Sequence, residues 1–126
     1  MSSTMLAAGR LLLASLFLIA GGMKVMGIKG VAGYIASKGL PQAELLAYAA
    51  VVFEVGGALL LIANRLVVPV ALAFAGFCIF SGVVFHNFWT FTDAMQWQNQ
   101  FNHFLKNVAL AGGFLALAAA HSSRTP

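Results

Sequence analysis

AELLAYAAVVFEVGGALLLIA, residues 43–63, is the stretch that decides the fold. As a helix rising 1.5 Å per residue it would be about 30 Å long, the thickness of the hydrocarbon core of a bilayer. It contains no proline, and it stops at Asn64-Arg65. One residue argues with its surroundings: Glu54, close to the middle. An ionised carboxylate at that depth costs several kcal/mol (roughly) unless it is paired, protonated or wet, so Glu54 must face the protein interior.

Working outward, three further apolar segments have the same character. Residues 5–23 form one, interrupted only by Arg10. Arg10 ahead of residues 11–20, with Gly21-Gly22 behind, has the outline of a signal peptide, but three more apolar segments follow and no convincing A-x-A site appears. Residues 66–85 form another, with Pro69 in the first turn, where a missing N–H costs little. The last is 104–120, the apolar part of a helix expected over residues 94–120 and capped by Thr92 or Asp93.

Two segments differ in character. Residues 24–42 interleave Lys24, Lys29 and Lys38 with Val25, Ile28, Tyr34 and Ile35, the mixture of an interfacial amphipathic segment. Residues 86–103 are a polar, aromatic connector. The chain therefore reads as all-α, a single transmembrane domain built as an integral membrane four-helix bundle.

Composition agrees. Of 126 residues, 61% are hydrophobic and 8% charged, against about 25% charged in soluble domains. Seven basic residues against three acidic ones are scattered singly, which argues against nucleic acid as a partner. Lysines facing anionic lipid headgroups account for the net charge of +4. Cys78 stands alone in an apolar run, which excludes an internal disulfide and a CxxC motif, and reads as a small core or lipid-facing residue.

Four crossings put Arg10, Arg65 and Arg124 on one side and Lys24, Lys29, Lys38 and Lys106 on the other, too even a balance to orient the chain. Glycine pairs at Gly21-Gly22, Gly56-Gly57 and Gly112-Gly113 suit close helix packing.

Arg10, Glu54, Lys106 and Asn107 are the candidate buried polar or ligand-binding residues. With antiparallel helices Arg10 is expected roughly 7 Å along the membrane normal from Glu54, within reach of an ion pair. Lys106 and Lys24 approach from the other end. Asn107 needs a partner for its amide in lipid, and with Lys106 it is expected to turn towards the second span. Lys24, His86, Trp89 and His103 are placed at the interface. His86, His103 and Asp93 match no metal-ligand spacing, and no histidine lies deep enough in a span to hold a haem. Trp89, Trp97, Phe88 and Phe91 read as an aromatic belt in preference to a ring-binding platform.

Several motifs resemble one family across nearly the whole chain. They are Gly9-Arg10-Leu11-Leu12-Leu13, Phe17-Leu18-Ile19-Ala20-Gly21-Gly22-Met23-Lys24, Tyr34-Ile35 to Gly39-Leu40-Pro41, Phe53-Glu54-Val55-Gly56-Gly57, Phe85-His86-Asn87-Phe88-Trp89, Lys106-Asn107 and Gly112-Gly113. Their order resembles the DoxX family. The resemblance implies a four-helix, multi-pass protein of the bacterial inner membrane. Some DoxX-like proteins are small subunits of thiosulfate:quinone oxidoreductase or quinol oxidase assemblies, others are linked to oxidative or thiol stress, and most have no established activity. No motif for a flavin, iron–sulfur cluster, haem or copper is present, so electron transfer would need a partner subunit or a diffusible quinone. Three readings follow: an accessory of a quinone-linked oxidoreductase complex, a small proton-coupled transporter using Glu54, and a non-catalytic assembly factor for a larger complex. A homo-oligomer is a further partner the sequence leaves open.

Overall fold

A computed structural model describes residues 3–122, with helices α1 (Ser3–Met26), α2 (Ile28–Ser37), α3 (Ala43–Ile62), α4 (Val67–Phe85) and α5 (Ala94–Ser122), and a 3₁₀ turn at Phe88–Thr90. Arg124 lies outside the described residues. No strand occurs among the described residues, and four of the helical segments, all but α2, are long and apolar enough to cross a membrane. The helix ends fall within a few residues of those the apolar runs predict, and α5 begins at Ala94, ahead of its apolar part. Contacts divide the chain into two compact units between Val67 and Val68.

In the first unit, α1 and α2 pack on α3. The buried face of α1 is Arg10, Ala14, Phe17 and Gly21, spaced four, three and four apart as one stripe of a helix requires. The stripe on α3 is Ala47, Glu54, Ala58 and Leu61. Gly21 fixes the register between them: a Cβ built there would stand 2.7 Å from Val55 Cγ2 and 3.3 Å from Glu54 Cβ. The two backbones are therefore in close approach at this level.

Gly27 ends α1. Its backbone leaves the helical region (φ −123°, ψ 37°), and its N–H is shared between the carbonyls of Met23 and Lys24 at 3.3 and 3.2 Å. The ten residues of α2 make it about 15 Å long, too short to cross a bilayer. Within it Ile35 is buried, Tyr34 is exposed and the Lys38 ammonium lies 5.4 Å from the Tyr34 ring centroid.

α3 ends in a left-handed cap. Asn64 takes φ 58° and donates its N–H to Leu61 O, and Arg65 N–H reaches back to Leu60 O at 2.8 Å. These are the two bonds of a Schellman motif, with asparagine in the position usually held by glycine.

The second unit holds α4, the connector and α5. Phe74 of α4 meets Phe114 of α5 edge-on, with ring centroids 5.3 Å apart. A Cβ at Gly82 would lie 3.4 Å from Asn107 Cβ and 3.5 Å from the Phe104 ring, an ordinary contact distance. Cys78 is buried within α4. Asp93 is the residue that caps α5, its carboxylate accepting the N–H of Gln96 at 3.0 Å.

Gly21 and Gly22 do not act as a pair. Gly21 packs closely, whereas nothing among the described residues lies within 4 Å of a Cβ at Gly22, Gly56 or Gly112. A helix turns about 100° per residue, so two adjacent glycines cannot both face one neighbour.

Candidate functional site

Glu54 is buried, its residue 1% exposed, and its Oε1 accepts a hydrogen bond from Lys24 Nζ at 3.0 Å. Its Oε2 is buried with no hydrogen-bond partner among the described residues. The helix geometry accounts for the pairing. Side chains lean towards the N-terminus of their own helix. In the register set by Gly21 and Val55, Lys24 lies opposite about Val52, so on antiparallel helices Lys24 and Glu54 lean towards each other.

The ion pair expected between Arg10 and Glu54 is not the one formed. Arg10 Nη1 donates to the carbonyl of Leu61 and, at 3.3 Å, to that of Ile62. These are carbonyls of the last turn of α3, which a helix leaves without intrahelical donors, and a cation there also meets the negative end of the helix dipole. A rise of 1.5 Å per residue does not fix how far one antiparallel helix slides along another. With Gly21 at Val55, Arg10 is displaced towards the Asn64-Arg65 turn, and the last carbonyls of α3 lie nearer than the carboxylate.

Lys24, placed at the interface by sequence, is instead the carboxylate's partner, and its side chain is 31% exposed. A signal for this was present: Arg10, Ala14, Phe17, Gly21 and Lys24 continue one stripe at spacings of four and three. Met26 on α1 and Val52 on α3, near the pair in sequence, are 90% and 72% exposed, as lipid-facing residues are.

Lys106, grouped by sequence with the buried residues, is exposed, and Asn107 is half-buried. Asn107 solves its amide problem within its own helix, its Nδ2 donating to His103 O at 2.9 Å. That leaves Lys106 free to extend its stem along apolar surface with the ammonium outward.

The connector is organised by Phe88, whose ring stands 4.9–5.3 Å from those of Trp89, Trp97, Phe101 and Phe104. Trp89 is exposed, as is His103. The rings of His86 and His103 stack at 4.9 Å, and His86 Nδ1 is hydrogen-bonded to Gln100 Oε1 at 2.9 Å.

Long apolar helices, one of them carrying a buried glutamate paired with a partly exposed lysine, define an integral membrane protein. The DoxX family profile matches residues 5–87. Over 114 residues the chain is 37% identical to "Inner membrane protein YphA" of Escherichia coli strain K12, covering 90% of this chain and 81% of that protein. It is 33% identical over 110 residues to "Inner membrane protein YqjF" of the same organism, covering 86% and 78%. No solved structure matches. The chain belongs to the DoxX family, and it is a multi-pass protein of the inner membrane.

Proposed function

We propose that this protein is a small accessory subunit of a quinone-linked membrane oxidoreductase, and that it holds the quinone headgroup at Lys24 and Glu54. The observation that carries this reading is the second oxygen of Glu54, buried and without a hydrogen-bond partner among the described residues, beside an ammonium 3.0 Å from the first. A quinone headgroup presents carbonyl oxygens and a quinol hydroxyls. Lys24 offers donors to the former, and Glu54 Oε2 an acceptor to the latter. The pair would orient the ring and supply or receive a proton at Oε2. The electrons would come from a partner subunit, since the chain's residues suit no redox centre.

Arg10 is committed to the end of α3, so it is assigned a structural role. Lys106 and Asn107 belong to the other compact unit, and the headgroup reading does not depend on them.

The test is extraction of quinone from protein purified in a mild detergent, with identification of copurifying proteins. Wild type should retain quinone above the level of bulk lipid and copurify with a larger oxidoreductase. A folded Glu54→Gln variant should lose the quinone. Equal, bulk-level quinone in the two proteins would refute the reading. Copurification without quinone would favour an assembly factor.

A further inference from the structure

We propose that Lys24 is a tethered occupant of an intramembrane cation site, and that Glu54 binds the head of an amphiphilic alkylammonium when Lys24 withdraws. The site is the one just described, but the inference does not depend on a quinone.

The two members of the pair differ in what they can do. Glu54 is 1% exposed on the middle of α3, whereas the Lys24 side chain is 31% exposed. Lys24 sits two residues before the end of α1, where Gly27 breaks the helix. Its four-carbon stem gives its ammonium a path outward that the carboxylate lacks. Withdrawal leaves a buried carboxylate, which is strongly unfavourable until a proton or another cation replaces the ammonium.

The chemistry of the site narrows that cation. Hard metal ions take six or more oxygen ligands, and one carboxylate is a poor match for them. A primary ammonium needs acceptors for its N–H groups, and Glu54 offers Oε1, already bonded to one ammonium, together with Oε2, which has no partner among the described residues. A cation that approaches Glu54 from within the bilayer must itself partition into acyl chains, which selects for an apolar tail. An alkylammonium partitioned into the bilayer combines these features, and Lys24 is its covalently attached analogue.

Competition from a tethered group lowers apparent affinity by the fraction of time the site is free. The experiment measures retention of radiolabelled dodecylammonium by nanodiscs of zwitterionic lipid carrying wild type, Lys24→Met or Glu54→Gln, each corrected for empty nanodiscs and checked for helicity. Lys24→Met should bind saturably and about tenfold more tightly than wild type, the change expected if Lys24 fills the site roughly nine-tenths of the time. Glu54→Gln, alone or combined with Lys24→Met, should show no saturable binding. Equal affinity in wild type and Lys24→Met would overturn the proposal, as would saturable binding that survives Glu54→Gln. Should Lys24→Met fail to fold, Lys24→Gln serves in its place with the same expectation. Quinone retention is measured on the same preparations. Its loss with dodecylammonium binding intact sinks only the quinone reading, and the converse sinks only this one.

Discussion

Replacing Gly21 by alanine tests the register from which the site follows. The added methyl would stand 2.7 Å from Val55 Cγ2, 3.3 Å from Glu54 Cβ and 3.4 Å from Val55 N. The first distance is well inside van der Waals contact, and Val55 is β-branched, with a stiff χ1, so its methyl cannot easily turn away. Overpacking of this kind costs about 1–3 kcal/mol. Alanine also gains about 0.5–1 kcal/mol over glycine inside a helix, which masks part of the loss. Gly22→Ala is the matching control, since nothing among the described residues lies within 4 Å of its Cβ and it receives the helical gain alone. The difference between the two variants cancels propensity and leaves the packing cost, about 1–3 kcal/mol. Reversible unfolding in mixed micelles, followed by far-ultraviolet circular dichroism, measures it. Adding Val55→Ala should recover most of the loss, because it removes the closest atom while leaving contacts that are merely tight. Equal stability for the Gly21 and Gly22 variants would refute the close approach of α1 and α3, and with it the geometry that brings Lys24 to Glu54.

Double-mutant cycles should separate the two basic residues. Arg10→Gln and Glu54→Gln should add to within about 0.5 kcal/mol, as uncoupled sites do, whereas Lys24→Met and Glu54→Gln should depart from additivity by more than that. Arg10→Gln alone should cost about 1.5–3 kcal/mol through its charge-assisted bonds to the end of α3. Asp93→Ala should cost about 1 kcal/mol and speed hydrogen exchange at the Gln96 amide, while Thr92→Ala should stay within about 0.5 kcal/mol. A larger loss at Thr92 than at Asp93 would reverse the cap assignment.

The helices were legible because each span reports on itself. An apolar run long enough to cross a bilayer, a proline in a first turn and an aspartate before a polar helix are local facts, and they located α3, α4 and the start of α5 to within a few residues. That Glu54 faces inward followed from the cost of its charge in lipid. Its partner did not follow, because pairing depends on how far one helix slides along another. Nothing in the apolar runs encodes that slide. It is set by Gly21, whose missing side chain admits Val55, whereas Gly22, Gly56 and Gly112 look identical in sequence yet have nothing among the described residues within 4 Å of an added Cβ. Asn107 shows a second limit: its amide needs a partner in lipid, but sequence could not say that His103 O, one turn back in the same helix, supplies it.

The exchange of partners changes what each basic residue can do. Had Arg10 held Glu54, the planar guanidinium could have engaged both carboxylate oxygens in a bidentate pair and closed the site. Bound to the Leu61 and Ile62 carbonyls, Arg10 instead fastens the end of α3 to α1 through charge-assisted hydrogen bonds. Lys24 makes a single 3.0 Å bond to one oxygen, from a side chain that already reaches the surface. A lysine is a compact point charge on a flexible stem and suits a bond that opens and closes. The stripe on α1 thus carries a fixed cation at one end and a releasable one at the other, and only the releasable one is paired with a carboxylate, whose second oxygen has no hydrogen-bond partner among the described residues. Any ligand that reaches this seam must compete with Lys24, so Lys24→Met is the substitution from which a gain of binding is expected, and Arg10→Gln one from which only a loss of stability is expected.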